Sequence, residues 1–415
     1  MDAQALIIQL SLIFVLAKLA GMLCEKLGQP SLIGEILVGI VLIYSMVNDR
    51  LHLDDPTSMG TISVFAQLGV IFLVFSIGLE TRSSEVRKVG RSAFLVALLG
   101  VVVPFFMGLS LILAWKGVAL MGEALFLGAA LVATSVVITA RVLQEVNAMK
   151  REEAVIILSA AVIDDVMGIV VLTMVVGLSG GTLNIVDLVT TIVLATAFVV
   201  FFLFYGGKIV AKLTSDDSRL SVVKRAHGHD APLVLALIFC LGMSLLAEYL
   251  KLAAIIGAFF AGMAFAEVKD KFHLEARFGT LTSLMAPFFF VFLGLQVKGF
   301  GWSPVWLVST MLIVMIAILS KWIGCMLPVW KSKGSHSASI VGVGMIPRGE
   351  VGMIVALVGL GSGMISTDIY ASVIFMAIAT SMIAPTILKR LLMSEHPNGQ
   401  ARTGKTVREK PGIKR

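Results

Sequence analysis

The chain has 415 residues, of which 58% are hydrophobic and 14% charged, with a formal net charge of +7 and a mean hydropathy of +0.98. An ordinary soluble domain carries about 25% charged and 45–50% apolar residues. A soluble enzyme with one anchor, a disordered chain, a coiled coil and a secreted disulfide scaffold are therefore excluded.

Apolar blocks long enough to cross a bilayer, about 20 residues each, recur along the whole chain. Thirteen are read, at about 4–24, 31–47, 59–79, 92–115, 123–143, 153–178, 185–213, 231–249, 252–268, 280–297, 303–330, 338–360 and 367–391. Span 1 has no basic n-region, its first cation being Lys18 near its far end, so it reads as a span and not as a cleaved signal peptide. Glu35 in span 2 has no evident partner and reads as interfacial or interhelical; Gln67 and Glu80 have no assigned role. Cys24, Cys240 and Cys325 sit inside apolar blocks without a C-x-x-C spacing, which implies neither a disulfide nor a zinc site.

Spans 2 and 3 recur seven spans later. Ile33-Gly34 followed by Gly39 matches Ile256-Gly257 followed by Gly262, and the Gly78-Leu79-Glu80 ending matches Gly294-Leu295-Gln296. Seven is odd, so spans 9–13 repeat spans 2–6 with inverted topology, a feature of secondary transporters. The offset pairs span 5 with span 12. Span 12 reads VGVGMIPRGEVGM, and its glycines and Pro347 break a helical ladder at a depth where only a protected or water-filled cavity permits it. Span 5 reads ALVATSVVITARVL; its break is less evident, and Thr134 and Ser135 are the polar neighbours expected at the crossing of the two broken helices.

Span 6 holds Asp164 and Asp165, 11 and 12 residues after Glu153 and so about 17 Å along a helix, near the midplane. Adjacent helical residues point about 100° apart, so one carboxylate can face a cavity and the other a neighbouring helix. Ionisable groups at this depth cost at least about 2.5–3.5 kcal/mol each and are functional by default. Span 11 supplies a cation, Lys321, about 15 Å from its nearer end. Two readings stand: a structural ion pair with one aspartate, or a titrating transport site. Arg348 and Glu350, beside the span 12 break, pair with each other or compensate half-helix dipoles.

Of the 33 Lys and Arg, 26 fall on the side holding loops 1–2, 3–4, 5–6, 7–8, 9–10, 11–12 and the C-terminus. The other side holds Arg50, Lys116, Lys251 and Lys298, and Lys18, Lys321 and Arg348 lie within spans. Basic loops stay cytoplasmic, which puts the N-terminus outside and the C-terminus inside. The basic segment 394–415 reads as a solvated cytoplasmic tail, with anionic-lipid binding the sharper alternative. This distribution is that of a membrane protein and not of a nucleic-acid binder.

Tandem DD in span 6, ATSVV in span 5, SKWIG in span 11 and PRGEVG in span 12 together resemble the monovalent cation:proton antiporter superfamily, nearest in kind to bacterial NapA-type sodium/proton antiporters and GerN-like exchangers. The resemblance covers roughly residues 5–393. It implies an all-α polytopic membrane protein of thirteen helices with two crossed broken helices, residues 1–393 forming the exchanger. Within it, a core would take spans at about 92–178 and 303–391, and a dimerisation domain spans at about 4–79 and 185–297. By position, Asp165 resembles the aspartate that carries Na⁺ and protons, and Asp164 its neighbour, which pairs with the lysine matching Lys321. Potassium-efflux relatives usually show Gln-Asp and electroneutral ones Asn-Asp where this chain has Asp164-Asp165.

The resemblance further implies electrogenic exchange of Na⁺ or Li⁺ for protons, no cofactor, a homodimer in membrane lipid, and residence in a bacterial inner membrane. Potassium/proton exchange is the alternative. An intramembrane aspartyl protease is remote, for it needs a G-x-G-D motif that the chain lacks, and H-E-x-x-H is also missing.

Overall fold

The structure, a computed structural model, describes residues 3–394 except 46–47, 49–51, 54, 118–119, 181–184, 216–229, 251 and 298–302. Arg50, Lys251 and Lys298 lie outside the described residues, as do 395–415 of the basic tail and the side chain of Glu350. The helices are α1 (Ala3–Lys26), α2 (Ser31–Tyr44), α3 (Pro56–Glu80), α4 (Ser83–Lys116), α5 (Met121–Val132), α6 (Val136–Glu145), α7 (Glu152–Gly180), α8 (Ile185–Thr214), α9 (Ala231–Tyr249), α10 (Ala254–Phe265), α11 (Leu274–Leu295), α12 (Pro304–Gly344), α13 (Glu350–Gly361) and α14 (Thr367–Ser394). Ten stretches are long and apolar enough to cross a membrane, α5 and α6 together making one of them. Three shorter apolar helices, Ser31–Tyr44, Ala254–Phe265 and Val351–Gly361, complete the thirteen expected spans among the described residues.

Two boundaries differ from expectation. α4 starts at Ser83, well before its apolar block, because long cations can follow a helix out of the hydrocarbon with their stems on apolar surface; Arg87 lies over the Phe204 ring at 5.3 Å. Spans 11 and 12 are joined without a loop. α12 is broken only at Gly334, whose φ of 78° suits a residue without Cβ. The chain doubles back there, so that Ser339 meets Met326 at 3.7 Å.

The inverted repeat is visible in the glycine crossings. A Cβ at Gly39 would lie 2.1 Å from the Val291 carbonyl oxygen and one at Gly294 2.2 Å from that of Ile36, so α2 and α11 cross in backbone contact. A Cβ at Gly262 would lie 2.1 Å from the Phe75 carbonyl oxygen and one at Gly78 2.3 Å from that of Phe259, so α10 and α3 cross likewise. Exchanging span 2 with span 9 and span 3 with span 10 converts one crossing into the other. Such close approach is how membrane helices gain packing energy where lipid offers no hydrophobic driving force.

Apolar side chains of α4, α5, α12, α13 and α14 form one cluster, including Ile112, Leu131, Ile313, Val355 and Val373. Those of α1, α2, α3 and α11 form another, including Ile13, Ile43, Ile62 and Phe288. A larger cluster runs between them.

Candidate functional site

Two spans lose their helical ladder at mid-membrane, span 5 at 133–135 and span 12 at 345–349. In span 12, Pro347 has no N–H to donate and Gly349 is extended, at φ −126° and ψ −153°. Span 5 opens without glycine or proline, because its backbone finds partners elsewhere. The Val132 carbonyl accepts from Lys321 Nζ at 2.8 Å, and the Ser135 N–H donates to the Pro347 carbonyl at 2.8 Å. Thr139 Oγ1 donates to the Gly344 carbonyl at 2.5 Å. The two breaks therefore cross in direct contact. A Cβ at position 349 would come 2.8 Å from Ser135 Oγ, so the crossing needs a glycine there.

Beside the crossing, α7 presents both aspartates. Asp164 Oδ1 accepts from Lys321 Nζ at 2.8 Å, with both side chains fully buried. The remaining ammonium protons go to the carbonyls of Gly100, at 2.7 Å, and Val132. All three donors of the lysine are thus used, one of them on the negative end of the α5 dipole. Asp164 Oδ2 and the hydroxyl of neighbouring Thr134 are both buried and have no polar partner beyond each other. Two buried oxygens left with only each other are under-satisfied unless a proton or cation meets them, which suits a site whose cargo comes and goes. Asp165 is also buried, as is Ser135.

Arg348 is fully buried. Its Nη2 donates to the Ala317 carbonyl at 3.2 Å and its Nη1 to Met345 at 3.5 Å, so the guanidinium compensates the carboxyl end of α12. The expected alternative, a pair with Glu350, falls outside the described side chains.

Sequence reasoning missed several groups. The Gly100 and Val132 carbonyls hold Lys321, and Thr139 ties the breaks together. Thr380 and Ser381 of α14 hold the Arg348 backbone. The available signal was a repeated tripeptide: Ala-Thr-Ser occurs at 133–135, in the span 5 break, and again at 379–381.

A second polar cluster lies toward the lysine- and arginine-rich end. The Glu145 carboxylate, at the end of α6, accepts from the Ser31 N–H at 3.2 and 3.3 Å and from the Ser31 hydroxyl, capping α2. Arg141 Nε stands 3.4 Å from Glu145. Gln144 donates to Glu80 and Thr386 to Gln29, each at 2.9 Å. Glu35 is buried and packs toward Gly21 of α1, so it is interhelical. At the other end, a cavity of about 520 Å³ opens among α3, α9, α10 and α13, lined by Gln67, Ser244, Glu248, Val351 and Ile354.

The same architecture recurs in known proteins. The sodium/hydrogen exchanger transmembrane family matches residues 12–394. The high-affinity Na(+)/H(+) antiporter NhaS3 of Synechocystis is 33% identical, over 92% of this chain and 89% of its own length. The Na(+)/H(+)-K(+) antiporter GerN of Bacillus cereus is 33% identical, over 92% and 95%. An Na(+)/H(+) antiporter of Enterococcus hirae is 32% identical, over 94% and 98%. In fold, the chain is similar to the sodium proton antiporter MjNhaP1 of Methanocaldococcus jannaschii, with a TM-score of 0.65 and 22% identity, over 95% of this chain and 98% of that one. With a family match running almost end to end and with relatives above 30% identity over nearly their whole length, this chain belongs to the sodium/hydrogen exchanger family of membrane transporters.

Proposed function

We propose that this protein exchanges Na⁺, or Li⁺, for protons, with Asp165 as the group loaded alternately by a proton or by one Na⁺. The observation that carries the reading is the buried Asp164–Lys321 pair at 2.8 Å, set with Asp165 against the crossing of two broken helices. Asp164 Oδ2, Thr134 Oγ1 and Ser135 complete the oxygen-rich surround; hard monovalent cations favour oxygen ligands, as do the better-characterised divalent ones. In the cycle, Asp165 gives its proton to water and its carboxylate accepts Na⁺. Na⁺ entry competes with Lys321 for Asp164. A lysine freed of its carboxylate in low dielectric favours its neutral form, so it releases a second proton. Two protons then move against one Na⁺, and membrane potential drives the exchange along with the pH difference. Potassium as a second cargo is favoured by the name of the GerN relative alone.

The two smaller apolar clusters support a division into a core, about 92–178 and 303–391, and a dimerisation scaffold, about 4–79 and 185–297. The Glu145–Ser31, Gln144–Glu80 and Thr386–Gln29 contacts tie core to scaffold at the basic, cytoplasmic end. The 520 Å³ cavity separates the same bodies at the opposite end. These contacts and this cavity support an outward-open state in an alternating-access cycle. The charge asymmetry supports an external N-terminus and a cytoplasmic C-terminus, the bacterial relatives fit residence in a bacterial membrane, and the homodimer rests on the family resemblance.

The test is transport by the purified protein in liposomes under imposed pH or Na⁺ gradients. Asp165→Asn should abolish exchange while the protein stays folded; cation-coupled proton movement at the normal rate in that variant would sink the assignment.

A further inference from the structure

The unwound stretch 345–349 crosses the membrane interior, where each backbone polar group needs a partner. At Arg348 both partners come from one neighbouring helix. Its N–H donates to Thr380 Oγ1 at 3.2 Å, and its carbonyl accepts from Ser381 Oγ at 2.8 Å. Both hydroxyls are buried inside α14, Thr380 at 0% exposure and Ser381 at 2%.

The two hydroxyls do not play equal parts. Each has one proton and two lone pairs. Thr380 spends its proton within α14, on the carbonyls of Met376 and Ala377 at 2.9 and 3.0 Å, leaving a lone pair for the Arg348 N–H. Ser381 has one proton and two claims on it, the Arg348 carbonyl at 2.8 Å and the Ala377 carbonyl at 2.7 Å. Thr380 is therefore a fixed acceptor. Ser381 can make or drop its bond to Arg348 without being left unpaired, by turning its proton back to its own helix.

What this pair holds is the backbone from which the site is hung. The Arg348 side chain leaves it toward α12, where its charge faces Asp164. The preceding carbonyl, that of Pro347, accepts from the Ser135 N–H, and the following residue, Gly349, touches Ser135. A sideways shift of Arg348 would move Ser135, Thr134 and the guanidinium relative to the carboxylates together. We propose that Thr380 and Ser381 are positioning residues that set the geometry, and with it the ion preference, of the cation site, Thr380 as the anchor and Ser381 as the releasable contact. This rests on the reading of Asp164 and Asp165 as that site.

The test measures initial exchange rates in liposomes against Na⁺ and Li⁺ concentration for Thr380→Val, Ser381→Ala and Thr380→Ser, scaled to folded protein. Loss of one neutral hydrogen bond at a positioned group predicts a rise of roughly five- to tenfold in the apparent KM for Na⁺ in Thr380→Val, with a changed Na⁺/Li⁺ ratio. Thr380→Ser, which keeps the acceptor, should restore both. Ser381→Ala should change KM less, because its partner is shared. A purely structural role would lower the amount of folded transporter, and so the maximal rate, with KM and ion ratio unchanged. That outcome overturns the proposal; should Thr380→Val fail to fold, an unchanged KM and ion ratio in both Ser381→Ala and a folded Thr380→Ala overturns it equally. Activity surviving in Asp165→Asn would instead refute the site itself and leave these KM values without bearing on it.

Discussion

Lys321→Gln is the most informative perturbation, because the structure sets its size and its pH dependence. The side chains of Lys321 and Asp164 are both wholly buried at 2.8 Å separation. Removing one partner of such a pair costs about 3–5 kcal/mol, since the other charge is left uncompensated. Asp164 has one escape, to take up a proton. For a carboxyl of ordinary acidity, near 3.9, that costs about 4 kcal/mol at pH 7 and about 1.5 kcal/mol at pH 5. The sign follows: the variant's folded form binds a proton that its unfolded form has released, so its stability falls as pH rises. Thermal unfolding of the purified protein in detergent should show Lys321→Gln well below the parent at pH 7 and much closer at pH 5. Asp164→Asn with Lys321→Gln, which leaves no stranded charge, should recover most of the loss. Equal losses at both pH values, with no recovery in the double variant, would refute the reasoning. Transport adds a second readout. On the proposed cycle, whatever exchange Lys321→Gln retains is electroneutral. Voltage-driven Na⁺ movement at normal coupling would remove the lysine as proton carrier and leave it as a brace, with Asp165 unaffected.

Two further outcomes follow from the geometry. Glu145→Gln weakens the charged cap on α2, a contact to an ionised group worth about 1.5–3 kcal/mol. The proposed outward-open state should then be less populated, so Ile354→Cys in the external cavity should react more slowly with a membrane-impermeant maleimide in the Glu145→Gln background; an unchanged rate would show that this tie does not bias the cycle. Gly262→Ala places a Cβ 2.1 Å from the Phe75 carbonyl oxygen and should destabilise by about 1–3 kcal/mol or more. Gly279→Ala, with nothing within 4 Å of its Cβ, should not; equal melting temperatures for the two would contradict the backbone crossing.

The parts of this site that could be read in advance are those that membrane physics penalises. Lys321, Asp164 and Asp165 stand out because charge in hydrocarbon is expensive, and the span 12 break because Pro347 and its flanking glycines cannot continue a ladder. The span 5 break carries no such mark. It is held open by acceptors and donors on other spans, namely Lys321 on Val132 and Pro347 on Ser135. Backbone carbonyls such as that of Gly100 have no letter in a sequence. Thr139, Thr380 and Ser381 do, but a hydroxyl in an apolar helix ordinarily satisfies itself on the preceding turn, so composition does not separate the few that reach across. Glu35 illustrates the reverse case. It was conspicuous as a charge, yet its place against α1 depends on Gly21 and Gly34, whose close packing no local pattern reveals.

On the proposed cycle, the charges at the crossing leave stoichiometry to one lysine. Helix α5 and the last turns of α12 point their carboxyl ends at the crossing, each equivalent to roughly −0.5 charge, and α6 and α13 point their amino ends at it, each roughly +0.5. These four contributions cancel. Lys321 meets the α5 end through Val132, and Arg348 the α12 end through Met345. With both aspartates ionised and both cations protonated, the four side chains sum to zero. Loading Asp165 with either a proton or Na⁺ raises the sum to the same +1, so exchange through Asp165 alone would carry equal charge in both directions and ignore voltage. Arg348 cannot break the balance, because a guanidinium stays protonated. Lys321 can: if it gives up its proton when Na⁺ displaces it from Asp164, the sodium-loaded site is neutral and the proton-loaded site is +1. One net charge then moves per cycle, and its movement depends on a single ammonium group held by three acceptors, one of which is the carboxylate that the cation must take.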